Sequence, residues 1–273
     1  MKEFSLKNKV ILITGGYGLI GKEVCDAMAC AGASLVIIDK VSKDLLQNFC
    51  NNISKTYQTK NNCFSVDITD EKAVFQAIAD SIKMFCHIDV LINLAAIDAK
   101  FDDRIEDVPK TAFENFPMDL WKKSVDVNIT GTFIVTQAVV REMIKCGSGN
   151  IINVASTYSL VAPNQNLYRL DENSEQQLYK PVDYVATKSM IPGFTKYLAT
   201  FYGKTGIRAN TIVPHGIFNN HSEQFVKNFR KYSPIDRMCD VKELRGPFVF
   251  LSSDASSYMT GSTLTIDGGW TAW

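Results

Sequence analysis

Tyr184 and Lys188 stand four residues apart in Tyr184-Val185-Ala186-Thr187-Lys188, within a segment whose apolar positions repeat with helical period. At that spacing both side chains leave the same helical face. A phenol ionises near pH ~10 in water, and a neighbouring ammonium that favours phenolate is one way to make tyrosine a proton carrier near neutrality. An ordinary surface helix also produces such neighbours. The chemistry therefore depends on which elements bring other groups to this pair.

Apolar runs of four to six residues alternate with longer stretches of helical periodicity, the pattern of β-α units around a parallel sheet. Strands are expected near Val10-Thr14, Leu35-Ile38, Cys63-Val66, Val90-Asn93, Ile151-Ala155, Arg208-Val213 and Thr263-Ile266. The expected fold is a single-domain α/β doubly wound Rossmann fold, with a seven-stranded parallel sheet and helices on both faces. No repeat, linker or charge block divides the 273 residues. Two irregular stretches stand out, Ala99-Pro117 and Pro163-Lys180, of a length that often marks lids or binding loops.

Twenty-nine Lys and Arg balance 29 Asp and Glu, so no net field draws the chain to nucleic acid or anionic lipid. No stretch reaches membrane-spanning length, and the N-terminal residues lack the apolar core of a signal peptide, which leads to an expected cytoplasmic location. Seven cysteines show no Cys-x-x-C and no histidine at ligand spacing. They read as reduced thiols, and no metal site is assigned. His215 and His221 are pocket candidates without carboxylate neighbours at metal-ligand spacing; Phe218, Phe225 and Phe229 fit the apolar face of a helix.

The first expected strand runs into Thr14-Gly15-Gly16-Tyr17-Gly18-Leu19-Ile20-Gly21 and then a helix. Glycines there allow a tight turn, a close approach of backbone to a pyrophosphate and close helix-sheet packing, with the helix N-terminus facing the phosphates. Asp39 ends the second strand, where a carboxylate can accept from the adenosine ribose hydroxyls and repel a 2′-phosphate. That favours NAD over NADP, although Lys40 beside it softens the discrimination, and a strand-end carboxylate has other uses.

With this turn at one end and Tyr184/Lys188 at the other, the sequence resembles the short-chain dehydrogenase/reductase family over essentially its whole length. Val66-Asp67-Ile68-Thr69, Asn93-Leu94-Ala95-Ala96, Val127-Asn128-Ile129-Thr130-Gly131, Ile151-Ile152-Asn153-Val154-Ala155-Ser156, Asn210-Thr211-Ile212-Val213-Pro214-His215-Gly216 and the stretch from Thr260 to Gly269 match family landmarks in order. The resemblance implies hydride transfer between nicotinamide and a carbinol carbon. It makes Asn128, Ser156, Tyr184 and Lys188 the catalytic set: Tyr184 the acid or base, Lys188 the group that lowers its pKa and holds the nicotinamide ribose, Ser156 a donor to the substrate oxygen, and Asn128 the holder of a relay water. It assigns cofactor contacts to Gly15, Tyr17, Gly18, Leu19, Ile20, Gly21, Asp39, Asp67, Ile68, Asn93, Ala95, Tyr184, Lys188, Pro214, Gly216 and Ile217. Asp67 would accept from the adenine amino group, while Asn93 belongs to a motif that stabilises the sheet beside the cofactor.

The chain departs from the family in several places. Leu19 replaces the middle glycine of the short form, with Gly18 one place early, as in the extended branch. Ala96 replaces a glycine, which a negative φ would tolerate. Pro192 falls inside the Tyr184 helix, frees the Lys188 carbonyl and is expected to kink the helix and help aim Lys188. Ser156 and Tyr184 lie 28 positions apart, against roughly a dozen in the family; what matters for catalysis is their meeting in space. The polar segment 163–180, with Asn164-Gln165-Asn166, Tyr168-Arg169, Asp171-Glu172-Asn173 and Gln176-Gln177, is either a solvated loop or a wall of the substrate mouth. As a wall it suits a polyhydroxylated or amino-sugar substrate, with Arg169 a partner for a carboxylate or phosphate. Residues 216–235 are expected to form a mobile lid. The resemblance implies a homo-oligomer, tetramer or dimer, through the helices around Asn128 and Tyr184 and the C-terminal strand; the apolar terminus with Trp270 and Trp273 suits subunit contact or core packing.

The leading expectation is an NAD-dependent oxidoreductase for a secondary alcohol or ketone of a small sugar-related molecule, in surface-polysaccharide or nonulosonic-acid metabolism. Alternatives are a nucleotide-sugar epimerase or dehydratase, suggested by the glycine spacing; a 3-oxoacyl thioester reductase, disfavoured by Asp39; and a non-catalytic dinucleotide-binding protein, disfavoured by the intact proton-handling set.

Overall fold

The computed structural model describes residues 2–98, 108–169 and 178–273. Seven strands, β1 (Val10–Thr14), β2 (Ser34–Asp39), β3 (Asn61–Ser65), β4 (Val90–Asn93), β5 (Gly149–Val154), β6 (Ile207–Pro214) and β7 (Thr263–Ile266), form one sheet in the order β3-β2-β1-β4-β5-β6-β7. Every pairing is parallel. The chain reverses direction across the sheet between β3 and β4, so the carboxyl ends of β1 and β4 flank a crevice, the place where open α/β sheets hold ligands.

The inner strands are largely apolar because both faces are covered, while the edge strands β3 and β7 are more polar and less buried. Leu12, Val36, Ile38, Leu91, Ile151 and Ala209 point into one core, while Ile11, Ile13, Leu35, Ile37, Ile92, Ile152 and Ile212 point into the other. The alternation follows from the two-residue period of a strand. Helix α1 (Leu19–Cys30), α2 (Lys43–Tyr57) and, late in the chain, α9 (Arg245–Ser252) cover the second face through Val24, Met28, Leu46, Phe248 and Leu251. Helices α3 (Glu71–Phe85), α6 (Thr132–Cys146) and α7 (Val182–Tyr202) cover the first through Val74, Ile78, Val135, Val139 and Leu198. Short helices α4 (Val108–Thr111), α5 (Met118–Val125) and α8 (Glu223–Arg230) complete the set named here. No described helix is long and apolar enough to cross a membrane.

Two local features differ from a plain reading of helical periodicity. Between α5 and α6, Asp126–Gly131 takes a π-helical turn, a device frequent at functional sites. Pro192 lies inside α7, yet helical geometry continues through it to Tyr202. Residues 163–169 form a capped turn, with Asn164 accepting from the Asn166 N–H at 3.0 Å and Leu167 buried. The Leu178 N–H donates to the Tyr168 carbonyl at 3.1 Å, so the two described ends of the inserted segment meet. The expectations for Asp171, Glu172, Asn173, Gln176 and Gln177, and those for 99–107, lie outside the described residues.

In the expected lid, Ile217 bridges Cys239 and α8 turns Phe229 inward. There Phe229 stacks on Trp270 with ring centres 4.9 Å apart, beside His215 at 5.3 Å. Phe225 and Phe229 thus form an apolar helix face as expected, while Phe218 is half exposed. The two C-terminal tryptophans separate: Trp270 is buried within its own chain and Trp273 is exposed.

Candidate active site

A cavity of about 520 Å³ opens along the carboxyl ends of β1, β2, β4 and β5, within the size range of small-molecule sites. At one end stand Gly15, Tyr17, Gly18, Leu19, Ile20, Asp39, Asp67 and Ile68; at the other are Ala95, Tyr184, Lys188 and Pro214. Lys40, Val41, Ile97, Asp98 and Asn219 also line it, and spacing offered no signal for Ile97, Asp98 or Asn219.

The glycine turn is built by close approach. Gly15 has φ +68°, and a Cβ there would lie 2.7 Å from Ala95 Cα; L side chains are strained in that conformation. The Gly18 N–H donates to the Gly15 carbonyl at 3.1 Å and leads into α1. Gly21 does not line the cavity: a Cβ there would sit 2.1 Å from the Gly15 carbonyl oxygen, so its task is to let α1 pack on the turn. Thr14, which the motif reading passed over, accepts from the N–H groups of Leu94 and Ala95, each at 3.1 Å, and joins the ends of β1 and β4. Ala96 is not among the residues of positive φ, so its methyl is tolerated as expected.

Asp39 accepts from the Tyr17 N–H at 2.9 Å and the Val41 N–H at 3.2 Å, one on each carboxylate oxygen. Each oxygen keeps a further lone pair, enough for a pair of vicinal hydroxyls. Asp67 accepts from the N–H and the hydroxyl of Thr69, at 3.0 and 2.8 Å, and these bonds hold its carboxyl below the usual range.

Asn93 is buried and does not line the cavity. Its Nδ2 donates to Thr136 Oγ1 and Asn153 Oδ1, both at 2.8 Å, and Asn153 Nδ2 donates to Thr195 Oγ1 at 3.0 Å. This buried chain of amides and hydroxyls ties β4 and β5 to α6 and α7. Gly216 and Ile217 also lie off the cavity: Gly216 has φ +56° with Phe229 against it, and Asn219 reaches the cavity instead.

At the reacting end α7 carries Tyr184 and Lys188 on one face. Lys188 is buried and its Nζ donates to the Val154 carbonyl at 2.7 Å, 5.9 Å from the centre of the Tyr184 ring. Burial lowers the Lys188 ammonium to about 8, partly opposed by the charge of Asp98. Ser156 follows β5, and its hydroxyl beside the Tyr184 phenol favours the phenolate. Burial outweighs that effect and, with Asp98, raises the Tyr184 phenol well above its ordinary value. The net shift is upward, so the protein alone favours the neutral phenol.

Asn128 lies in the π turn and is buried. Its Oδ1 accepts from the Ile97 N–H at 2.8 Å, and its Nδ2 donates to the Ile97 carbonyl at 2.9 Å and to Thr187 Oγ1 at 3.0 Å. The side chain clamps the cavity wall to α7 with both amide hydrogens engaged, while its Oδ1 keeps one lone pair. Its main-chain carbonyl accepts from Thr132 Oγ1 at 2.9 Å.

Beside the reacting phenol, off the cavity lining, lies a group of aromatic side chains. Tyr158 and Tyr168 share a hydrogen bond at 2.9 Å, and burial raises both phenols. His215 packs against Trp270 with ring centres 4.4 Å apart and leaves a buried, unpaired Nε2; burial drops its pKa to about 4. Arg169 is exposed and off the cavity, and His221 stacks on Phe225 at 4.8 Å. Among the described residues no cluster of His, Cys, Asp and Glu could hold a metal ion.

This geometry can be set beside known proteins. A family model described as "Enoyl-(Acyl carrier protein) reductase" matches residues 18–271. The chain is 30% identical to the NAD-dependent glycerol dehydrogenase of Listeria innocua serovar 6a over 277 residues, covering 99% of this chain and 96% of that protein. A short-chain dehydrogenase of Leptospira borgpetersenii serovar Hardjo-bovis with bound NAD+ superposes with a TM-score of 0.83 at 30% identity, over 99% of this chain and 96% of that one. A gluconate 5-dehydrogenase of Burkholderia cenocepacia J2315, in complex with NADP and tartrate, gives 0.83 at 29% identity over 100% and 98%. Likeness of this extent, around a site in which Ser156, Tyr184 and Lys188 meet at the end of a glycine-turn cavity, makes the chain an enzyme of the short-chain dehydrogenase/reductase family.

Proposed function

We propose that this enzyme is an NAD-dependent oxidoreductase that moves a hydride between nicotinamide and a secondary alcohol or ketone of a sugar-related substrate. The observation that carries the reading is one cavity lined by Asp39 at one side and by Tyr184 and Lys188 at the other, with Ser156 beside the Tyr184 phenol. The glycine turn that lines the cavity with Gly15 and Gly18, the carboxylate of Asp39 and the main-chain groups of the turn fit a dinucleotide. When bound, that cofactor supplies the hydride chemistry, and the protein orients it and handles the proton.

Tyr184 is the group that gives a proton to the substrate oxygen in reduction and takes it in oxidation. Its raised pKa suits it as a donor; as an acceptor it needs the positive charge of Lys188 and of the oxidised cofactor. Ser156, beside the same phenol, donates to the substrate oxygen and holds it against Tyr184. Lys188, fixed on the Val154 carbonyl, would hold the nicotinamide ribose of a bound cofactor. Asn128 keeps the Ile97 wall in register with α7.

Asp39 supports NAD because its carboxylate stands where a 2′-phosphate would meet like charge. Lys40 lines the same cavity and eases that exclusion. The relatives include one named for NAD and one solved with NADP. A sugar-related substrate is supported by relatives named for glycerol and gluconate, and by the polar segment whose ends meet beside Tyr184. We further propose a homo-oligomer, on the apolar side chains left exposed on α5, α6 and α7.

Absorbance of NADH and NADPH during incubation with polyols, sugars and their oxidised forms tests the reading, with Tyr184→Phe as control. Turnover should fall by about 10³-fold in that variant while NADH binding is kept. Equal turnover by Tyr184→Phe would overturn the mechanism.

A further inference from the structure

Beside the reacting phenol is a charge pair, Asp98 on the cavity wall and Lys180 against it, that dinucleotide binding and proton transfer do not require. Lys180 precedes α7, and its main-chain N–H donates to Gln165 Oε1 at 2.8 Å. Its ammonium pairs with the Asp98 carboxylate and lies 4.2 Å from the centre of the Tyr184 ring and 5.8 Å from that of Tyr158. The Lys180 side chain is 11% exposed and that of Asp98 37%. Asp98 lines the cavity directly after Ile97, the residue that Asn128 grips at both main-chain groups. Both members are thus anchored, and two aromatic faces help hold a side chain that otherwise loses much rotamer freedom.

An ammonium offers donors only and a carboxylate acceptors only. Side by side, they match neighbouring hydroxyl groups, one accepting from Lys180 and the next donating to Asp98. A substrate carboxylate at this place has to displace Asp98 from Lys180. Asp98, more than a third exposed and left beside it, then opposes the substrate carboxylate as a like charge. Among the described residues, the other cationic groups near the pair offer no alternative seat: Lys188 is turned onto the Val154 carbonyl, burial keeps His215 neutral above pH about 4, and Arg169 stands off the cavity. Relatives named for a neutral polyol and for an aldonate both occur, so the family leaves the choice open.

We infer that the Asp98–Lys180 pair reads adjacent hydroxyl groups of the substrate and makes the enzyme select neutral polyols or aldoses over aldonates. The inference rests on the sugar-directed reading above and narrows it. Asp98 and Lys180 are the specificity-determining residues, and Tyr184 keeps the chemistry.

The test is kcat/KM with NAD+ for xylitol and ribitol against D-xylonate and D-gluconate, in the wild type, Asp98→Asn and Lys180→Gln, with NADH binding to report that each variant is folded. The wild type is expected to prefer the polyols by about tenfold or more. Asp98→Asn leaves the ammonium unopposed and should move the aldonate-to-polyol ratio up by about tenfold. Lys180→Gln should raise KM for polyols and gain nothing with aldonates. Wild-type turnover of aldonates equal to or above that of polyols removes the inference and leaves the sugar-directed reading standing. So does an unmoved ratio in a folded Asp98→Asn. Turnover of neither class removes that reading and the inference with it. Should Asp98→Asn fail to bind NADH, the wild-type ratio decides alone.

Discussion

His215 shows how burial at one residue becomes a property of the folded protein. Its ring is enclosed by Tyr158, Phe229 and Trp270, and its pKa falls from 6.5 to about 4 because charging it there forfeits hydration. The folded-state value lies below the unfolded one, so between these values the unfolded chain binds more protons. Stability therefore falls as pH drops from about 6.5 to 4 and stays reduced below that, by an amount on the order of 3 kcal/mol. His215→Phe should flatten the slope of thermal midpoint against pH in that window, as read by scanning fluorimetry. An unchanged slope would assign the acid sensitivity to other groups. Tyr184 has the opposite setting: a raised phenol pKa favours the neutral form over the whole physiological range, so catalysis in the oxidative direction depends on the charges the cofactor and Lys188 bring.

At the scale of elements, the π turn at Asp126–Gly131 has a definite consequence. It seats Asn128 with one amide holding both main-chain groups of Ile97 and the hydroxyl of Thr187. Asn128→Ala leaves these buried groups without partners, and each such group costs about 1–3 kcal/mol. The variant should lose about 2–4 kcal/mol in urea unfolding, and its KM for substrate should rise because Ile97 and Asp98 line the cavity. If stability falls while KM holds, the clamp is structural alone. The inserted segment before α7 makes a comparable contribution: Gln165 holds Lys180, and Tyr168 holds Tyr158 beside the reacting phenol.

Over the whole molecule, apolar side chains remain exposed where the chain cannot cover them. Tyr197 and Phe201 stack on α7 with ring centres 5.5 Å apart and are 58% and 61% exposed. Met118 on α5 and Phe133 on α6 are similarly open. Exposed apolar groups of this kind often mark association surfaces, which agrees with the proposed homo-oligomer through these helices. Phe201→Glu should shift the mass measured by light scattering after gel filtration to a smaller species. A monomeric wild type, or a variant of unchanged mass, would remove the assembly from the proposal.

The doubly wound sheet was legible along the chain because its inner parallel strands are covered on both faces and must be largely apolar, while the edge strands β3 and β7 are shorter of apolar residues and less buried. The glycine turn, Asp39, Ser156, Tyr184 and Lys188 were legible too, because each demands a residue type that few others can replace at that point. What spacing did not reveal depends on groups distant along the chain. Thr14 acts on Leu94 and Ala95, Asn128 on Ile97, and Asp98 on Lys180, and none of these pairs has a pattern of its own. The balance of charge at Tyr184 belongs to the same class: sequence neighbours place Lys188 near the phenol, but burial and the field of Asp98 set its proton affinity, and both arise only when the sheet, α7 and the loop after β4 come together.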